Sequence, residues 1–124
     1  MGVMIAMFKL IVAGSRSFDD YARMAADLDR LLIRRMPDVE IVCGMCASGA
    51  DACAVRYAQE RGLQLKEFPA DWHQWGRAAG PIRNDEMSRY GDALIAYWDG
   101  KSAGTRNMIR CADLRGLRVI VRRF

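Results

Sequence analysis

The 124-residue chain is 52% hydrophobic and 27% charged, enough apolar material for a packed core and no compositional case for general disorder. Nineteen Lys and Arg against fifteen Asp and Glu leave a net charge of +4, scattered along the chain rather than gathered into a tail. That balance permits an anionic ligand without demanding a nucleic acid, and no run approaches the roughly 18–20 apolar residues of a membrane helix.

The start, MGVMIAMFKLIVAG, has no basic segment ahead of it and is interrupted by Lys9, so no secretory leader is expected. Met1-Gly2 is followed by Ala6 where a myristoylation signal wants Ser or Thr. These features predict a cytoplasmic protein with four reduced cysteines and no membrane attachment. Phe8 to Ala13 (FKLIVA) predicts a strand ending at Gly14. From Asp19 to about Arg35, apolar residues at Tyr21, Met24, Ala25, Leu28, Leu31 and Leu32 form a helical stripe, with acids at one end and arginines at the other. Pro37 closes that helix, and Val39 to Cys43 predicts a second strand. Ala50 to Arg61 reads as a helix opened by Ser48, with Asp51 three residues on, and stopped by Gly62. Gln64 to Phe68 is a third strand. Pro69 to Gly80 has no clean period, and Pro81 suits the first turn of a short helix to about Tyr90. Asp92 to Trp98 is a fourth strand, Ala103 to Arg115 a helix ending at Gly116, and Leu117 to Val121 a fifth strand.

Strands alternating with helices imply βαβ units and a mostly parallel sheet covered on both faces, a three-layer α/β sandwich of about five strands. One domain over residues 1–124, with its core at about 8–121, is expected. Ligands of such sheets bind beyond the carboxyl ends of the strands, so the turns after the strands carry the functional question.

After the first strand comes Gly14-Ser15-Arg16-Ser17-Phe18, where glycine allows a tight turn, helix amides can meet an anion, and Ser15 and Arg16 suit phosphate. The plainer alternative is a strand-to-helix turn with a solvated arginine. After the second strand, Gly44 to Asp51 offers Gly44 and Gly49 for close approach. Asp51 is placed either to accept from a ribose or base edge or to favour the helix dipole. After the fourth strand, Gly100-Lys101-Ser102-Ala103-Gly104-Thr105 is a further candidate phosphate cradle, though not a P-loop. Three such turns at one sheet edge favour a nucleotide-like anion.

In the aperiodic segment, Trp72 and Trp75 would stack on a base or anchor the loop to the core, and Arg83 and Asn84 follow on the next helix. His73, the single histidine, is more simply solvated than catalytic. Cys43 and Cys46 have a C-x-x-C redox spacing, but Cys43 falls at a strand end and no second pair completes a zinc site. No metal and no cofactor are expected.

The stretches GSRSF, ASGADACAVRYA, DWHQWGRAAGPIRNDEM and GKSAGTRNMI, in that order, resemble the YspA-type, cpYpsA-related branch of the SLOG superfamily from about Phe8 to Val121. The resemblance implies a Rossmann-like fold and a nucleotide or nucleotide-derived ligand, sometimes sensed as a signal. LOG-type enzymes of that superfamily cleave a base from a nucleoside 5′-monophosphate, using an Arg-Lys pair followed by a methionine and a turn ending Gly-Thr-x-x-Glu. Arg83 and Met87 match the first motif with Asn84 in the lysine place. Gly104 and Thr105 match the second with Met108 in the glutamate place. A thioether neither activates water nor stabilises an oxocarbenium-like centre, so catalysis would fall to Arg83 with Glu86 or Asp51. The superfamily also includes the DNA-processing protein A, which binds single-stranded DNA. The expectation is therefore ligand binding by Gly14, Ser15, Arg16, Gly44, Gly49, Asp51, Trp72, Arg83, Asn84, Gly100, Ser102, Gly104 and Thr105. N-glycosidase activity and single-stranded nucleic-acid binding are the alternatives. A homodimer or higher homo-oligomer is expected because a small sheet tends to leave apolar helix faces over.

Overall fold

Five strands, β1 (Phe8–Gly14), β2 (Val39–Gly44), β3 (Gln64–Phe68), β4 (Ala93–Trp98) and β5 (Arg118–Arg123), form one sheet in the order β3-β2-β1-β4-β5. Every registered pair is parallel, with Leu10 opposite Ile41 on one side and Ala93 on the other. The computed structural model describes residues 6–124, so the expectations attached to Met1 and Gly2 lie outside the described residues. The chain has the α/β, Rossmann-like architecture that its alternating pattern predicts.

Strand side chains alternate between faces, and the apolar residues sort accordingly. Leu10, Val12, Ile41, Cys43, Ile95 and Tyr97 point to one face. There they meet Met24, Leu28 and Leu32 of α1 (Tyr21–Leu32) and Ala50, Ala54 and Tyr57 of α2 (Gly49–Arg61). Ile11, Ala13, Val42, Leu94 and Ala96 point to the other face. They meet Met87 of α4 (Ala79–Tyr90) and Met108 and Ala112 of α5 (Ala103–Leu114). Because α1 and α2 cover one face and α4 and α5 the other, the order of strands reverses between β1 and β4. That switch point opens a crevice at the carboxyl edge.

Several boundaries differ from the sequence expectation for physical reasons. Asp20 lies outside α1 because its carboxylate accepts from the Arg23 amide at 3.1 Å, and Arg34 and Arg35 fall in a turn beyond its end. β5 runs on through Arg122 and Arg123, where Arg122 Nε donates to Asp27 Oδ2 at 3.1 Å and lets a charged residue stay in the strand. The segment 69–80 contains a single helical turn, α3 (Trp72–Trp75), then a 3-10 turn at Gly76–Ala78. Units of four and three residues are too short to display a period. No helix among the described residues is long and apolar enough to cross a membrane.

Candidate functional site

The turns after β1 and β2 nest into one another, and this decides where two glycines are needed. A Cβ at Gly14 would stand 2.5 Å from the Tyr97 carbonyl oxygen and 2.7 Å from the Ala50 methyl. Gly49 has φ +70 and would meet the Arg16 backbone at 2.5 Å. Ser15 is buried in the same contact, its hydroxyl accepting from the Asp99 amide at 3.3 Å. Ser15 and Gly49 therefore hold the turns together from beneath, and neither lines the cavity above them.

That cavity, about 490 Å³, lies at the carboxyl edge of the sheet. Of the residues expected to bind ligand, Gly14, Arg16, Gly44, Asp51, Trp72, Arg83, Asn84, Ser102, Gly104 and Thr105 line it. Gly100 does not. It has φ +84, and a side chain there would strike the Arg123 guanidinium. Glu86 is exposed and lies off the cavity, because the α4 residues that reach it are Gly80, Pro81, Arg83, Asn84 and Met87. Trp75 and His73 are also outside the lining.

Gly44 is buried between two side-chain ends, and a methyl group there would run into Arg83 Nη1 and Asp51 Oδ2. Arg83 is held from behind: its Nε donates to Asn84 Oδ1 at 3.0 Å and its Nη1 to the Phe68 carbonyl at 3.3 Å. Asn84, only 5% exposed, in turn donates to Asn107 Oδ1 at 2.9 Å and to the Gly104 carbonyl at 3.2 Å. Asn84 thus orients the arginine beside it and ties α4 to the first turn of α5.

Asp51 Oδ2 accepts from the Cys46 amide at 3.2 Å and so clamps the turn that precedes α2, rather than bonding the helix's own first amides. Burial pushes its carboxyl above the ordinary value of 3.8, against the opposing pull of the Cys46 amide and the Arg83 charge. It is the one acidic residue in the lining, facing Arg16, Arg77 and Arg83. The site is therefore electropositive.

The expected cradle after β4 is partly filled by the protein itself. Asp99 Oδ1 accepts from the Lys101 and Ser102 amides at 2.8 and 2.7 Å, and these bonds hold its carboxyl below 3.8. What remains for an anion is the first turn of α5, where the Ala103, Gly104 and Thr105 amides precede the first intrahelical bond. A Cβ at Gly104 would meet nothing within 4 Å, so that turn is open.

Met108 is 1% exposed and packs in the core against Met87 and Ala112 while closing the cavity floor. Cys43 is fully buried, and burial pushes its thiol well above the usual range, which removes the thiolate that redox chemistry needs. Among the described residues, no group of three or more His, Cys, Asp or Glu side chains is arranged to hold a metal ion.

Sequence reasoning missed Arg77, Asn107 and Ser48 as lining residues. Arg77 sits in an aperiodic stretch with no motif to mark it. Asn107 was recoverable in principle, since it falls one helical turn after Ala103 on the α5 face that carries Gly104 and Met108.

A sequence model of the YAcAr family, the YspA, cpYpsA-related SLOG family, matches residues 8–75. The Gene 61 protein of Mycobacterium phage D29 is 35% identical over 120 residues, covering 92% of this chain and 95% of that protein.

Proposed function

The chain belongs to the YspA, cpYpsA-related SLOG family, whose membership suggests a nucleotide-related function, and on that premise we propose that its cavity binds a nucleotide or nucleotide-derived anion. The observation that carries this reading is one cavity at the sheet's switch point, with three arginines and a helix N-terminus against a single carboxylate. In this reading the phosphate meets Arg16 and the first turn of α5, Arg83 adds a fixed charge, Asp51 accepts from a sugar or base edge, and Trp72 flanks the base. The protein acts as a binder, sensing or sequestering the ligand as one unit in the cytoplasm. The proposal includes a homodimer or higher homo-oligomer, which sedimentation velocity would measure.

The test is a thermal-shift screen against mononucleotides, dinucleotides, cyclic nucleotides and ADP-ribose compounds. A ligand at about 100 times its Kd should stabilise the fold by roughly 2.7 kcal/mol, a shift of several degrees. Gly44→Ala should remove the shift and leave the fold intact, because the methyl displaces only the ends of two side chains. No stabilisation by any member of the panel would refute the proposal.

A second reading, hydrolysis of an N-glycosidic bond, draws on Asp51 in the cavity lining, whose carboxyl burial pushes upward, the direction a general acid needs. It requires free base to appear from nucleoside monophosphates and to vanish in Asp51→Asn.

A further inference from the structure

Every residue from Asp71 to Ala78 is exposed, although this stretch contains two tryptophans and two helical turns. Trp72 and Trp75 are 54% and 49% exposed, an unusual state for two indoles on one short segment. The stretch is internally ordered: Asp71 accepts from the Gln74 amide at 3.0 Å through its side chain and from the Trp75 amide at 3.0 Å through its carbonyl. It is fastened to the rest of the protein at both ends. Before it, the Phe68 carbonyl accepts from Arg83 Nη1; after it, Ala79 is buried at the start of α4.

Between the two turns lies Gly76, with φ +55 and ψ −130, a conformation that residues with a Cβ rarely adopt. A Cβ there would touch nothing within 4 Å, so glycine is required by the backbone angle and not by packing. Such a position can absorb a change of angle without disturbing a neighbour. Two side chains of the stretch line the cavity. Trp72 lays its ring edge against Gly80, with Cη2 3.3 Å from where a Cβ would stand, and Arg77 follows directly after the glycine.

We propose that Asp71–Ala78 is a flap hinged at Gly76 that closes over the bound ligand, with Arg77 as an anion-binding residue delivered from above. The inference rests on the anionic ligand proposed for this cavity. Closure gives the two tryptophans an apolar contact that they lack in the free protein. It brings Arg77 opposite Arg83 and the open turn of α5, so that the negative group is held from two sides. The ligand class that profits is one whose anionic group stands clear of the cavity floor, as a phosphorylated sugar or a bridging diphosphate does. Arg77 has no hydrogen-bond or ion-pair partner among the described residues, so moving it breaks no bond of the resting structure.

The test combines calorimetric titration of the full chain, using AMP and ADP-ribose as probes, with limited trypsin digestion in their absence and presence. The free protein is expected to be cut first after Arg77, the exposed arginine of an unpacked stretch. Saturating probe is expected to slow that cut at least about tenfold, the cut requiring an open flap. Arg77→Ala is expected to weaken the tighter probe by about tenfold to a hundredfold at an unchanged melting temperature, the range of one charge-assisted hydrogen bond. Gly76→Ala is expected to weaken it too, at a cost in melting temperature set by the positive φ, so the affinity is compared well below that temperature. If a probe binds but cleavage after Arg77 is no slower, closure is overturned while the ligand reading stands. If a probe binds equally well to Arg77→Ala, the role of Arg77 is overturned in the same way. If neither probe binds the unmodified chain, the flap proposal falls with the site it serves.

Discussion

Asp51 is where a single side chain most sharply separates binding from folding. Burial opposes ionisation of its carboxyl, so in the folded chain it holds its proton more tightly than in the unfolded one. A carboxyl raised in this way weakens the fold at neutral pH, and the weakening is relieved as pH falls through its folded value towards 3.8. Asparagine keeps an oxygen for the Cys46 amide and removes the charge. Asp51→Asn is therefore expected to raise the melting temperature by a few degrees while ligand affinity falls; differential scanning fluorimetry with and without nucleotide checks both. Arg16, Asp51 and Gly104 were legible as cavity-lining residues because each stands in the turn or first helical turn after a strand, whereas Arg83, in the second turn of α4, was legible only through its motif. Ser15, Gly49 and Gly100 were misplaced for one shared reason. Each stands in the expected turn, but what it faces comes from afar: the Asp99 amide, the Arg16 backbone and the Arg123 guanidinium. No local pattern states which atoms of a turn face outward.

The α4–α5 pair is the wall that gives the cavity its shape. Asn84 spans the two helices near their first turns, and Asp85 and Ser88 bind Arg115 at 2.9 Å at the far end of α5. Asn84→Ala leaves the Asn107 oxygen and Arg83 Nε without that partner. A loss of about 1–3 kcal/mol by urea denaturation is expected, the range for a buried polar group orphaned by truncation, together with weaker nucleotide binding as Arg83 loses its rear support. Asn84→Asp, which keeps an acceptor for Arg83, should recover more affinity than stability. Four of the strands were legible because each holds a short apolar run, and β3 (QLKEF) because it alternates polar and apolar residues after Gly62. Of the long helices, α1 was legible from its stripe and the others from their boundary residues, Ser48, Gly62, Pro81 and Gly116. The flap was not, since its turns are shorter than one full repeat of any period, and the last residues of β5 were hidden by arginines that only Asp27 and Trp98 make tolerable in a strand.

Across the whole molecule, depressed carboxylates sit at the joints between neighbouring elements. Asp29 binds Arg61 and Tyr57 to join α1 to α2, Asp85 binds Arg115 to join α4 to α5, and Asp99 binds the loop between β4 and α5. Arg61, Arg115 and the Ser102 amide, respectively, are the leading causes that hold these three below 3.8. A carboxyl lowered in the folded state contributes stability that is complete above the unfolded value and disappears as pH falls through the folded one. The melting temperature is therefore expected to hold from neutrality to about pH 5 and to drop steeply below about pH 4, and Asp85→Asn should flatten part of that drop. Calorimetric scans at half-unit intervals decide the matter, and a curve without an acid limb would deny these joints their role.

A sheet in which all five strands run the same way also has a polarity that matters at the bench. The backbone enters β1 at the edge remote from the cavity, whereas β5 ends beside it, with Phe124 edge-on to Phe18 and the Arg123 carbonyl accepting from Arg23. A tether joined after Phe124 would leave from the carboxyl edge of the sheet, the edge that carries the cavity, whereas β1 is entered from the opposite edge. Immobilised by its leading end, the molecule presents its open side to a flowing analyte; immobilised by its trailing end, it risks turning that side toward the support.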